Sequence, residues 1–254
     1  MNHSKNVLDS DTVTVLNPEG QCSVVVVCEH ASCFIPPAFN DLGLSEDALQ
    51  SHAAWDPGAL AVAQGLSQRL GATLVASNVS RLVYDCNRPP SAVDAMPQKS
   101  EAIVVPGNAN LTPEQRSERA GKYYEPFRAT LAGVIATKSA PVLVTVHSFT
   151  PIYYGQQRAV EIGILHDTDA RLAQAMMDIA PSYIQNKVEL NQPYGPEDGV
   201  THTLKEHALD AGYLNVMLEI RNDLIQSAQD QDTMATRIAA WVAEALVSLQ
   251  GDTQ

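Results

Sequence analysis

The chain has 254 residues, with 16 Lys and Arg against 29 Asp and Glu and a formal net charge of −13 at pH 7. Hydrophobic residues make up 45% and charged residues 18%, which excludes a globally disordered chain and leaves apolar side chain enough for a core that needs neither disulfide nor metal to fold. The acidic balance argues against general nucleic-acid binding and against docking on anionic membranes, both of which need a basic footprint. A small anionic substrate held by a few local arginines stays compatible with it.

No apolar stretch approaches the 18 or more residues of a membrane-spanning helix. Residues 1–20, MNHSKNVLDSDTVTVLNPEG, have no apolar core of the signal-peptide kind and read as a polar lead-in. One domain over residues 21–254 and a cytoplasmic location are the expectations. Cys22, Cys28, Cys33 and Cys86 form no CxxC pair and read as free thiols.

In chain order, residues 23–28 (SVVVVC) predict a strand buried on both faces, as in a largely parallel sheet. Ser45 offers a helix start. Residues 58–69 repeat apolar positions at helical spacing up to a stop at Gly71, and 72–76 predict a second strand. Residues 80–85 (SRLVYD) read as a third strand, and the proline-rich stretch 86–110 as a loop. Thr112-Pro113 opens a long helix to about residue 138, with Thr as N-cap and Pro at the first helical position. Strands are expected at 141–146, 160–165, 184–190 and 214–220. Helices are expected at 167–179, in a short piece up to 210, and at 232–249. The alternation of strands and helices predicts a single three-layer α/β domain around a mostly parallel, mixed central sheet.

Ligands of open α/β sheets bind beyond the carboxyl ends of the strands. Four polar sites follow apolar runs: His30 after VVVVCE, Asp85-Cys86-Asn87-Arg88 after RLVY, His147-Ser148 after PVLVTV, and Glu219 with Arg221 at the end of LNVML. Two histidines and a carboxylate can make a three-ligand zinc site with an open position for water, and a further glutamate can take a proton from that water. Asp56, in Trp55-Asp56-Pro57-Gly58, is the chosen third ligand, although Asp before Pro is also what a helix cap looks like. Alternation along a strand would turn Glu29 away from His30. Asn87, Arg88, Arg81 and Arg221 suit a substrate carboxylate, or pair with Asp85, Asp223 and Glu161. Tyr194, in the loop NQPYGPEDG, is a candidate lid residue, and His202 could approach the site. His3, His52, His166 and His207 read mostly as surface residues.

The segments CEHAS (28–32), HAAWDPGA (52–59), SRLVYDCNRP (80–89), VHSF (146–149), NQPYGPEDGVTHTL (191–204) and EIRNDL (219–224) resemble the N-formylglutamate amidohydrolase family over about residues 22–226. That family is similar in turn to zinc carboxypeptidases and aspartoacylases. The resemblance implies a phosphorylase/hydrolase-like fold and a single zinc ion on His30, His147 and Asp56. It implies Glu219 as general base and acid, and Asn87 and Arg88 as groups that hold the substrate or polarise its carbonyl. Tyr194 resembles the mobile tyrosine. The sequence departs at one position: zinc carboxypeptidases carry a glutamate three residues after the first histidine, where this chain has Cys33, so Glu29 and Cys33 stand as alternatives to Asp56. The implied substrate is a small anionic N-acyl amino acid, first of all N-formyl-L-glutamate. Another N-acyl amino acid, or non-catalytic binding of an acidic metabolite, are the alternative readings.

Overall fold

The computed structural model describes residues 7–251; His3 lies outside them. The elements are β1 (Val7–Asp9), β2 (Val13–Leu16), β3 (Val24–Cys28), α1 (Glu46–Leu49), α2 (Ala59–Leu70), β4 (Thr73–Ser77), β5 (Lys99–Ser100), β6 (Ile103–Val104), α3 (Pro113–Arg119), α4 (Glu125–Ala136), β7 (Val142–Phe149), β8 (Ile152–Tyr153), β9 (Gln156–Gln157), β10 (Ile162–Leu165), α5 (Arg171–Tyr183), β11 (Val188–Leu190), α6 (His202–Leu204), β12 (Leu214–Arg221) and α7 (Ala228–Gly251). Eight strands form one sheet in the order β1-β2-β4-β3-β7-β12-β10-β11. The central four, β4, β3, β7 and β12, are mutually parallel. β2 and β10 run against them at the two sides. β5–β6 and β8–β9 are separate two-residue hairpins. No helix among the described residues is long and apolar enough to cross a membrane.

The layers follow from alternation. Val24, Val26 and Cys28 of β3, Val142, Val144 and Val146 of β7, and Val216, Leu218 and Ile220 of β12 face a core built with α2, α5 and α7. Val25, Val27, Leu143 and Met217 face the opposite core, which holds Phe127, Leu131 and Ile135 of α4. The central strands are buried on both faces, which is why they read as unbroken apolar runs rather than alternating ones. His147 and Glu219 share the parity of Leu143 and Met217, so both side chains leave the sheet on the α4 side.

Three expectations need correction. Residues 7–16, placed in a polar lead-in, supply β1 and β2; β2 pairs with β4 from Val13↔Ser77 to Leu16↔Leu74 and buries Val13 and Val15. The VTVL alternation carries a half-buried strand one in from the sheet edge, and its polar neighbours mask it. Residues 80–85 form turns and no strand. The Ser80 hydroxyl donates to the Ala54 carbonyl and accepts from the Leu82 N–H, a local side-chain pairing that competes with a sheet ladder. In a strand, Arg81 and Asp85 would stand about 13 Å apart; the turns bring them to 2.9 Å. Third, the long helix from Thr112 is capped as expected, with a full capping box to Gln115. It then passes through a π-helical turn at Ala120–Tyr124 before α4, which changes the face α4 presents.

The chain leaves β3 through α2 to β4 on one side, and returns through α3 and α4 to β7 on the other. The carboxyl ends of β3 and β7 therefore flank a topological switch point, the crevice where α/β sheets bind ligands. His30 follows β3 and His147 lies near the end of β7.

Candidate active site

β3 ends at Cys28, so Glu29 and His30 lie in a turn and strand alternation no longer separates them. Both are buried. The Asp56 N–H donates to the His30 carbonyl at 3.0 Å, which ties the Trp55–Gly58 turn to the end of β3. Gly58 adopts φ +83°, and a Cβ there would stand 2.6 Å from the Ile225 carbonyl oxygen; only glycine lets this turn close against the segment after β12. Gly58, not Asp56, is the cap residue of α2. The Asp56 carboxylate instead points into the crevice, where it accepts from the Ser148 N–H at 3.2 Å.

Three donor atoms meet there. His147 Nδ1 lies 2.9 Å from Asp56 Oδ2 and 3.1 Å from His30 Nδ1, and His30 Nδ1 lies 3.3 Å from Asp56 Oδ2. A tetrahedral zinc site with ligands at about 2.0–2.1 Å has ligand–ligand edges of about 3.3–3.4 Å, so this triangle is close to the size a small divalent ion needs. Each histidine's other nitrogen meets a carboxylate: His30 Nε2 is 2.7 Å from Asp85 Oδ1, and His147 Nε2 is 3.1 Å from Glu29 Oε2, although without the alignment of a good hydrogen bond. Carboxylates behind ligating imidazoles fix tautomer and ring orientation in metal sites. The described His, Cys, Asp and Glu side chains that come together as a potential metal site are His30, Asp56 and His147.

The charges agree with this reading. Burial alone would raise the Asp56 and Asp85 carboxyls. His30 and His147 override it at Asp56, and His30 and Arg81 at Asp85, and both are held below the usual carboxylate range. Glu29 is lowered in the same way, burial being outweighed by His147. Burial would lower His147, but Glu29 and Asp56 hold it well above the usual imidazole range. Arg81 bonds Asp56 at 3.4 Å and Asp85 at 2.9 Å. With both imidazoles neutral, as metal ligation requires, the carboxylates of Glu29, Asp56 and Asp85 against the Arg81 guanidinium leave two negative charges at a buried point. Such charge needs compensation, and one divalent cation between the two Nδ1 atoms and Asp56 supplies it. The donor set therefore fits a divalent metal.

Glu219 stands opposite His147 in the β7–β12 register. It is buried, and its Oε2 has no hydrogen-bond partner. Burial pushes its carboxyl up to about 7, with His147 opposing the shift and Asp56 adding to it. A carboxyl of that pKa can both accept and release a proton near neutrality. His30, Asp56, His147 and Glu219 all line one cavity of about 710 Å³, together with Arg81, Asp85, Asn87, Arg88 and Tyr194.

The remaining expected residues are distributed unevenly. Arg88 reaches the cavity, but its donors are engaged: Nε with Asp94 at 2.7 Å, Nη1 with the Asn87 and Gly199 carbonyls, and Nη2 with the Asp198 carbonyl. Asn87 uses both ends of its amide on the 200–203 segment, donating to the Val200 carbonyl and accepting from the Thr203 N–H. The two residues together buckle the loop after Tyr194 to the turn after Asp85. Arg221 is not among the cavity's lining residues; it pairs with Asp223 and Glu161, because it lies two residues past Glu219 where β12 is ending. His202 is likewise outside the lining, its Nε2 2.7 Å from the Tyr124 hydroxyl. Cys33 is partly exposed, near Gln50 Oε1, and apart from the donor triangle. Asp85, expected only as an arginine's partner, orients His30, and no local pattern signals that role across 55 residues.

Tyr194 is buried enough to push its phenol up to about 12, with Glu219 adding to the rise and Arg158 opposing it. Its loop crosses β10 at Gly163, where a Cβ would stand 1.9 Å from the Gln192 carbonyl oxygen. Gly163→Ala is therefore expected to displace the 192–194 backbone, destabilise the protein by about 1–3 kcal/mol and reduce turnover. A thermal melt and an activity assay check both effects.

A gene product of Agrobacterium tumefaciens has a solved structure similar to this chain at 51% identity, with a TM-score of 0.93, covering 95% of this chain and 97% of its own. The structure of an N-formylglutamate amidohydrolase from Ralstonia eutropha shares the fold at 19% identity and TM-score 0.64, over 92% of this chain and 99% of its own. No curated protein sequence matches the chain. The profile of the N-formylglutamate amidohydrolase family matches residues 22–226, the span that carries His30, Asp56, Asp85, His147 and Glu219. The chain belongs to the N-formylglutamate amidohydrolase family.

Proposed function

We propose that this chain is a metal-dependent amidohydrolase that converts N-formyl-L-glutamate and water to formate and L-glutamate. The observation that carries the reading is the joining of two features in one cavity: a buried His30–Asp56–His147 donor triangle, and a Glu219 carboxyl whose Oε2 has no partner and which burial pushes up to about 7.

His30 and His147, through their Nδ1 atoms, and Asp56 would hold the ion. When bound, a zinc-like ion supplies Lewis acidity and lowers the pKa of water to about 7. Glu219 takes a proton from the water that attacks the formyl carbon. It then delivers that proton to the amide nitrogen as the carbon–nitrogen bond breaks. Arg81, locked between Asp56 and Asp85, keeps a positive charge beside the centre where negative charge develops on the carbonyl oxygen. Asp85 and Glu29 act through the histidines, keeping each ring turned so that Nδ1 faces the ion. Asn87 and Arg88 hold the 198–203 loop and so fix the wall that carries Tyr194.

The test is formate release from N-formyl-L-glutamate before and after treatment with a chelator, followed by zinc restoration. Release that is lost with the chelator and regained with zinc is the expected result. Release that survives complete metal removal overturns the metal dependence, and no release by the zinc-loaded protein overturns the substrate.

A further inference from the structure

Three arginines line the cavity, and two are committed to the protein itself. Arg81 is divided between Asp56 and Asp85, and Arg88 between Asp94 and three carbonyls. The third, Arg158, follows the β8–β9 hairpin. Its guanidinium carbon lies 4.3 Å from the centre of the Tyr153 ring, 4.8 Å from Tyr194 and 5.4 Å from Phe149. Its Nη1 donates to the Thr150 carbonyl at a long 3.5 Å, the guanidinium also lies within hydrogen-bonding reach of the Tyr194 phenol, and among the described residues it pairs with no carboxylate. Aromatic rings hold a guanidinium by its face and leave its edge, where the N–H donors lie, available for a planar anion.

We propose that Arg158 binds the side-chain carboxylate of the substrate and so sets the preference for an acidic amino acid; this rests on the reading of the site as an amidohydrolase centre. Position supports it. Phe149, against which Arg158 packs, ends β7 two residues beyond His147, about 6–7 Å further along the strand. Arg158 therefore stands beyond the donor triangle along β7, in the same cavity. The α-carboxylate of an N-acyl amino acid is two bonds from the amide nitrogen and stays close to Arg81. The side-chain carboxylate of glutamate reaches further, toward Arg158. Tyr194 joins the two zones: its ring stands 4.8 Å from the Arg158 guanidinium carbon, and it lines the same cavity as Arg81 and Glu219. Lys99 also lines the cavity but is exposed, and a mobile ammonium selects a planar carboxylate poorly. A charge-assisted pair at a partly buried site accounts for a discrimination of roughly 10–100-fold.

The test compares N-formyl-L-glutamate with N-formyl-L-glutamine, which differ only in that side-chain group, on the zinc-loaded wild type, Arg158→Gln and Arg158→Lys. L-glutamate and L-glutamine binding by calorimetry is measured alongside. Arg158→Gln is expected to lose roughly 10–100-fold more kcat/KM on the glutamate substrate than on the glutamine one, chiefly through KM, with Arg158→Lys in between. The same variant is expected to lose the wild type's preference for L-glutamate over L-glutamine. Equal losses on both substrates mean that Arg158 only supports the aromatic wall, and no loss means it touches neither; both overturn the proposal. If the wild type turns over neither substrate, the hydrolase reading fails and the binding data decide for Arg158. A glutamate preference that depends on Arg158 upholds the proposal, and its absence in the wild type overturns it.

Discussion

Glu219→Gln is expected to reduce turnover by about 10²–10⁴-fold, the usual contribution of a positioned general acid–base, and to leave the fold intact. The buried Glu219 Oε2 has no hydrogen-bond partner to lose, so the amide replaces an unsatisfied carboxyl of nearly the same shape. The stability effect has a definite sign. The carboxyl's pKa is raised from 4.5 to about 7 by folding, so between those values the native state binds more protons than the unfolded state and wild-type stability falls as pH rises. The glutamine variant lacks that penalty. In chelator-treated protein it should match the wild type below about pH 4.5 and exceed it increasingly up to about pH 7 and above. Parallel melts of the two proteins across this range check the sign, and steady-state kinetics with zinc check the rate. Wild-type activity in Glu219→Gln would remove Glu219 from the chemistry.

His30→Ala and His147→Ala are each expected to abolish stoichiometric zinc and, with it, turnover. Each loss removes one of three donor atoms that stand within about 3.3 Å of one another. Loss of His147 also strands the buried Glu29 carboxylate behind it, and uncompensated buried charge costs about 3–5 kcal/mol, so His147→Ala should melt well below the wild type. Asp85 behind His30 keeps its pair with Arg81, so His30→Ala should melt less far below it. Arg221→Ala, which breaks ion pairs with Asp223 and Glu161 and a bond to the Arg158 carbonyl, none of them at the donor triangle, serves as a control that should keep its zinc. Metal analysis of the purified variants decides the matter, because a full complement of zinc in both histidine variants is incompatible with the proposed ligand set.

The two histidines and Glu219 were legible in the sequence for a physical reason. Each ends or follows an apolar run that is buried on both faces, and in a parallel sheet such runs deliver their last polar residues to one edge. Burial and direction are local properties of VVVVC, PVLVTV and LNVML, and they suffice to bring His30, His147 and Glu219 to the same crevice. The central strands and the helices 59–70 and 228–251 followed from periodicity in the same way.

What surrounds those residues was not legible, because it depends on turns and on contacts between distant segments. A strand at 80–85 would have separated Arg81 from Asp85; the Ser80 turn joins them and sets Asp85 against His30. Glu29 meets His147 because it lies in the turn after Cys28, where strand alternation no longer applies. Asp56 gives up the helix cap to Gly58, whose positive φ and lack of a Cβ let the turn close on Ile225. Arg158 is one basic residue among 16 in the sequence, and its distinction is three aromatic rings drawn from β7, β8 and the loop after β11. The sequence by itself determined the buried central strands of the sheet and the polar residues at their ends. The tertiary structure alone decided which carboxylates stand behind which histidines, and which arginine is left to meet a ligand, because charge pairing is settled by distances of a few ångströms between side chains far apart in the chain, such as Glu29 and His147.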